Sequence, residues 1–362
     1  MTKIAIFLSS LDGGGAERVM INLASGFADR GMSVDLILVK AEGPYLSQIS
    51  PKVRVIDFQK QRLLEGLPKL ISYLKAERPV ALLSALEDTN VVALLAHRLA
   101  QVKTQAIVTV HNNLSRESQN ATQLKRKLSP LMVRWFYPWA DAVVSVSKGV
   151  ADDLLKIGLN SQKIHVIYNP IVTNELLETA QQPIEHDWFF PDQPPVILAV
   201  GRLNQQKDFP TLIHAFAQVR QQQRVRLMIL GEGEERSNLA SLVTKLGLEE
   251  EVDFPGFVAN PYAYMARSAV LVLSSAWEGF GNVLVEAMAV GTPVVSTNCE
   301  SGPSEILDNG RYGALVNVGD RNEMAKAILQ MIASPTDSVV IQKRADTFSL
   351  ENAVDKYHKL WR

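Results

Sequence analysis

The chain has 362 residues, 47% of them hydrophobic and 21% charged, which suits a soluble globular protein with core material for two domains of ordinary size. A formal net charge of −1 supplies no global attraction to nucleic acid, and a single cysteine, Cys299, excludes an internal disulfide or a cysteine-built metal cluster and fits a reducing cytoplasm. No apolar run approaches the length of a bilayer span.

Residues 3–10 (KIAIFLSS) read as a buried strand rather than a signal, because the apolar run is only one strand long and enters a glycine turn. LDGGGAER follows, then a helical pattern stopped by Gly31. A glycine turn between a strand and a helix can cradle a phosphate, and a tight turn explains the same residues equally well. Further strands are expected at 33–39, 53–58, 80–86, 105–110, 142–147 and 164–169, with helical patterns such as LPKLISYLKAE and NVVALLAHRLA between them. Such alternation implies a mostly parallel sheet covered on both faces, with ligands at the carboxyl ends of its strands. His111 lies at one such end, as a structural hydrogen bonder or a substrate contact.

From Arg98 to Lys148 the charge balance breaks, with eight Lys or Arg against Glu117 and Asp141. Within it, Leu124, Leu128, Leu131, Met132, Trp135, Phe136 and Trp139 fall on one helical face, and Lys125, Arg126, Lys127 and Arg134 fall elsewhere. This is either a helix packed on the sheet with a solvated basic face, or a basic aromatic surface for anionic lipid heads or a diphosphate. Pro130 and Pro138 interrupt any long helix.

Residues 171–194 lack periodicity and are rich in turn formers, so they read as a linker between domains at 1–170 and 195–346. Strands resume at 196–201, 226–231, 252–257, 269–275, 293–298 and 313–318. GRLNQQKD places Arg202 and Lys207 on one loop at a strand's carboxyl end, where a guanidinium fork and a mobile ammonium can grip phosphate. The stretch SSAWEGFGNVLVEAMAVGTPVVST then reads as strand, loop, helix, glycine stop, strand. It carries Glu278 on the loop and Glu286 on the helix, with the amides of Phe280, Gly281 and Asn282 at the helix N-terminus between them.

The string E-G-F-G-N-V-L-V-E-A-M-A-V-G-T-P-V-V (278–295) resembles the Glu-x7-Glu signature of retaining, nucleotide-sugar-dependent glycosyltransferases of the GT-B fold, family four. GRLNQQKD is similar to that family's diphosphate-binding element, and SGPSEIL (301–307) occurs in its subgroup acting on lipid-linked oligosaccharides and surface glycans. The resemblance is close over the second half and loose over the first. It implies an α/β protein of two Rossmann-like domains facing across a cleft, acceptor in the first and nucleotide sugar in the second. A C-terminal helix at about 347–362 is expected to return to the first domain.

The implied reaction moves a hexose or N-acetylhexosamine from a nucleotide diphosphate sugar, best a UDP-sugar, to a glycan or polyprenyl-linked hydroxyl, with retention. Arg202, Lys207 and the helix N-terminus at Phe280, Gly281, Asn282 and Val283 would stabilise the departing diphosphate. Glu278 would hold the donor sugar and Glu286 the ribose. His111 would touch sugar or acceptor, and Gly14 and Gly15 would face the phosphates. No metal is expected, there being no Asp-x-Asp. Lys125, Arg126, Lys127, Arg134 and Trp135 would meet the acceptor or an anionic membrane from the cytoplasmic side. The alternatives are an epimerase of the same fold or a non-catalytic nucleotide-sugar or glycan binder.

Overall fold

The computed structural model describes residues 2–121 and 123–361, except the side chains of Leu124 and Lys125. The chain forms two compact units, one of Met1–Ile171 with Leu350–Arg362 and one of Val172–Ser349.

The first unit is built on seven parallel strands: β1 (Lys3–Leu8), β2 (Ser33–Leu38), β3 (Arg54–Asp57), β4 (Ala81–Ala85), β5 (Gln105–Val110), β6 (Ala142–Ser145) and β7 (Ile164–Val166). Their order is β3-β2-β1-β4-β5-β6-β7. The inner strands are near-continuous apolar runs because helices cover both sheet faces; β4, ALLSA, is buried throughout. Phe7, Ile37, Leu70, Leu74, Leu82 and Val92 form part of one core cluster, joining three strands to the helices Leu67–Glu77 and Glu87–Ala100. The C-terminal helix Leu350–His358 completes this unit against the helix Gly15–Asp29. Phe27 there meets Tyr357 and Trp361 edge-on, at 6.3 and 5.4 Å between ring centres.

The second unit repeats the plan with six strands: β8 (Val196–Val200), β9 (Arg226–Leu230), β10 (Val252–Gly256), β11 (Val270–Leu273), β12 (Val294–Thr297) and β13 (Ala314–Val316). They are ordered β10-β9-β8-β11-β12-β13, again all parallel. In both sheets the order reverses once, between β1 and β4 and between β8 and β11. At such a switch point the flanking loops diverge to opposite faces and leave a crevice at the carboxyl ends of the strands.

The structure corrects two expectations. Residues 171–194 are not an open linker: from Val172 on they belong to the second unit. They contain the helix Asn174–Ala180, capped by the Thr173 hydroxyl, and a helical turn at Asp187–Phe189. His186 pairs with Asp253 at 2.9 Å, and Arg226 stacks over Trp188. A seven-residue helix and polar anchoring leave too little apolar repeat to read.

The apolar face expected over 124–139 does not form as one stripe. The segment breaks into helices Leu124–Lys127 and Ser129–Phe136 and a turn at Tyr137–Trp139. Pro130 opens the second helix and resets its phase. Val133 and Tyr137 therefore take the core-facing positions, while Leu128, Leu131 and Trp135 are exposed, Trp135 by 70%.

Candidate active site

In the second unit the switch point brings two loops together. The loop after β8 runs from Gly201 to a helical turn, Gln205–Lys207, capped by Asn204, whose side chain accepts from the Lys207 amide. The loop after β11 carries Glu278. Lys207 Nζ donates to Glu278 Oε1 at 2.5 Å, and Ser275 Oγ donates to the same oxygen at 2.7 Å. Ser274 Oγ donates to the Lys207 carbonyl, Gln206 Nε2 to the Trp277 carbonyl, and the Ala276 amide to the Gln206 carbonyl. Glu278 is 6% exposed, so its carboxylate depends on the Lys207 and Ser275 donors for its partners. Arg202 lies on the same loop, exposed, and makes no ion pair among the described residues.

The helix Asn282–Ala289 starts four residues after Glu278, with Gly281 at its N-cap. Asn282 and Val283, half-buried, form its first turn, and Glu286, buried, lies one turn further on. Gly291 ends it at φ 85°, with the Thr292 amide on the Ala287 carbonyl and the Gly291 amide on Met288. The Phe280 ring is buried, edge-on against Phe348 at 5.4 Å. Gly302 comes so close that a Cβ there would lie 1.8 Å from the Phe280 carbonyl oxygen.

In the first unit, the turn after β1 leads into Gly14, the N-cap of Gly15–Asp29. The Glu17 carboxylate folds back over it: a Cβ on Gly14 would lie 2.3 Å from Glu17 Oε2. This is the N3-to-N-cap relation of a capping box, so the chain's own carboxylate lies at this helix end. The Gly14-x-x-Glu17 spacing was the available signal. Tyr45 steadies the turn, its hydroxyl on the Gly13 carbonyl at 3.0 Å and its ring 4.3 Å beneath the Arg18 guanidinium.

His111 follows β5, its Nε2 3.0 Å from Thr109 Oγ1. The Thr109 hydroxyl donates to the Ser84 carbonyl at 2.9 Å, so its proton is committed. Nε2 therefore carries the imidazole proton and Nδ1 is the acceptor. Burial pushes the His111 pKa down to about 4, which keeps the ring neutral at pH 7. Beneath it Asn90 accepts from Ser84 Oγ and donates to the Thr109 carbonyl and the Tyr137 hydroxyl, all within 2.9 Å.

Sequence reasoning missed Glu87, which follows β4 behind Leu86, held at φ 73°. Burial, then the nearby Glu117 carboxylate, pushes its pKa up to about 7. Nothing in the local pattern marks this, since the second carboxylate comes from another element.

Of the basic aromatic group, Arg126 pairs with Glu117 at 3.3 Å, and Lys127, Arg134 and Trp135 are exposed. The Lys125 side chain lies outside those described. Thus Lys207, Glu278, Phe280, Gly281, Asn282, Val283 and Glu286 lie on the two adjoining loops and the helix of the second unit, with Arg202 on the Lys207 loop. His111, Gly14, Gly15 and the basic group lie in the first unit.

Two all-parallel α/β units of this order define the GT-B architecture. A sucrose-phosphate synthase from Thermosynechococcus elongatus shares it with a TM-score of 0.84 at 23% identity, covering 100% of this chain and 98% of that one. HepE of Anabaena, solved with UDP and glucose, does so with a TM-score of 0.80 at 24% identity, covering 99% of each chain. The family models Glycosyltransferase Family 4 and Glycosyl transferases group 1 match residues 13–175 and 181–348. An N-acetylgalactosamine-N,N'-diacetylbacillosaminyl-diphospho-undecaprenol 4-alpha-N-acetylgalactosaminyltransferase of Campylobacter jejuni is 32% identical over 346 residues, 92% of this chain and 90% of that protein. The lipopolysaccharide core biosynthesis glycosyltransferase LpsE of Rhizobium meliloti is 29% identical over 96% of this chain and 95% of its own length. The chain belongs to glycosyltransferase family four and is a glycosyltransferase.

Proposed function

We propose that this enzyme transfers a hexose or N-acetylhexosamine from a UDP-sugar to a hydroxyl of a lipid-linked or lipopolysaccharide glycan, with retention at the anomeric carbon. The observation that carries the reading is the Lys207–Glu278 pair at the sheet's switch point, one short step from the N-terminus of Asn282–Ala289. A diphosphate there meets the positive end of the helix and two cations, Lys207 and Arg202, which stabilise negative charge as the bond to the sugar breaks. Those groups supply the positive charge without a resident metal. Glu278 accepts from hydroxyls of the donor sugar and Glu286 from those of the ribose. Neutral His111 offers Nδ1 to a sugar or acceptor hydroxyl. The bond from the anomeric carbon to the diphosphate oxygen breaks, and a bond to the acceptor oxygen forms on the same face. The acceptor's proton leaves with the diphosphate.

The acceptor class rests on the names of the relatives and on a surface in the first unit. Leu128, Leu131 and Trp135 are exposed in the same segment as the exposed Arg126, Lys127 and Arg134, a composition that suits an anionic lipid surface. Among the described residues no helix is long and apolar enough to cross a membrane, so such contact would be peripheral.

Thermal unfolding and slow hydrolysis measured across a panel of nucleotide sugars test the donor. A UDP-sugar should stand out, and equal responses across all bases would defeat the assignment. Calorimetry then tests Glu286→Ala, which should weaken UDP binding by about 1.5–3 kcal/mol through loss of a charged acceptor; unchanged affinity in the folded variant removes its ribose role.

A further inference from the structure

Phe280 lies inside the loop that the proposed function assigns to the donor, between Glu278 and Asn282. The residue is held at two points, its main chain and its ring. The Gly302 backbone closes on its carbonyl, and Phe348 meets its ring edge-on at 5.4 Å and 70°. Phe348 is itself 2% exposed and covered by the Arg344 guanidinium, 5.0 Å above the ring. Arg344 is fixed in turn, donating from Nε to the Ile306 carbonyl at 2.9 Å and from Nη2 to the Glu305 carbonyl at 2.5 Å. The donor loop therefore rests on a ring whose far side is clamped.

The backbone of Phe348 has a second attachment. Its carbonyl accepts the Val172 amide at 3.2 Å, and Val172 and Ser349 form an isolated parallel bridge. These are the residues at which the chain passes between its units, leaving the first after Ile171 and re-entering it at Leu350. One residue thus joins the donor loop through its side chain and both chain crossings through its main chain. Close-packed aromatic contacts have few alternative arrangements, so a shift of the Phe280 ring cannot be absorbed locally.

We infer that Phe348 is a positioning residue for the donor loop, and that its ring passes the state of that loop to the two chain crossings at 171–172 and 349–350. The inference rests on the reading of residues 278–286 as the donor site. Neither Phe348 nor Arg344 belongs to the Glu278–Glu286 motif.

Hydrogen exchange of the full chain with UDP as probe tests it. In the wild type, saturating UDP should slow exchange over 278–290 and also at the amides of 171–173 and 349–351. In Phe348→Leu, UDP at a concentration saturating that variant should still protect 278–290, while its added protection at the crossings falls by about 2- to 10-fold, the share of an aromatic pair. Arg344→Gln, which keeps both rings and frees the clamp, should show the same selective loss, and serves if the leucine variant does not fold. Protection at the crossings undiminished in these variants overturns the inference. So does wild-type protein whose loop responds to UDP while its crossings do not. Failure of the wild type to bind UDP overturns the donor reading itself, and this inference with it.

Discussion

Lys207 and Glu278 fix each other's position. The carboxylate is 6% exposed, and the half-buried ammonium is its ionic partner. Replacing Lys207 with Ala leaves Glu278 unpaired, which should cost about 3–5 kcal/mol in urea unfolding and lower turnover by about 10²-fold or more. A variant as stable as wild type would mean that the pair is not formed in solution. Both residues could be read in the sequence because each sits in a motif after a strand. Glu87 could not, because its behaviour depends on burial and on Glu117 from a separate helix. An acid whose folded pKa is about 7 against an ordinary 4.5 costs the fold stability as pH rises through that interval. His111 acts at the other end, its folded pKa of about 4 against 6.5 costing stability as pH falls between those values. Asp88 adds to the effect on Glu87, and Arg126 opposes it. Glu87→Gln should therefore gain about 1–3 kcal/mol over wild type at pH 8 and little at pH 4.5, read from urea midpoints at both. An equal change at both pH values would show that Glu87 ionises normally.

Among elements, strands and the helix Asn282–Ala289 were the most legible. A buried parallel strand is an apolar run, and a glycine past a helix marks its end. The 124–139 segment was legible in composition but not in orientation. Pro130 restarts the helix, and the buried positions become those of Val133 and Tyr137, the latter tied to Asn90. What is left outside is a ridge of Leu128, Leu131 and Trp135 in a segment that also exposes Arg126, Lys127 and Arg134. If the ridge meets lipid, the protein should co-sediment with anionic vesicles and release with salt. Charge reversal of Arg126, Lys127 and Arg134 together should abolish the binding, each cation contributing about 1 kcal/mol. Trp135→Ala should weaken it with a smaller salt response. No sedimentation at low salt would leave the ridge as ordinary surface.

At the scale of the whole molecule the sequence announces two α/β halves, since the alternation stops and restarts. It does not announce where the chain changes unit. The crossings fall at Ile171–Val172 and Ser349–Leu350, and the second was visible only as an amphipathic tail. That tail is structural to the first unit. Gly26 admits it closely, a Cβ there lying 2.8 Å from Val354 Cγ2 and 2.9 Å from Leu350 Cδ1. Tyr357 is buried against Phe27, and Arg30 pairs with Asp355 on the rim. Truncating Tyr357 to Ala removes a ring from a filled core, a change that costs about 3–5 kcal/mol for large aromatic side chains. Because the tail packs within one unit, the loss should be local. Hydrogen exchange should accelerate over 15–29 and 350–358 while protection of 282–289 is retained, and UDP affinity measured by calorimetry should stay within about twofold of wild type. Equal loss of protection in both units would instead show that they unfold as one, with the C-terminal helix serving the whole chain.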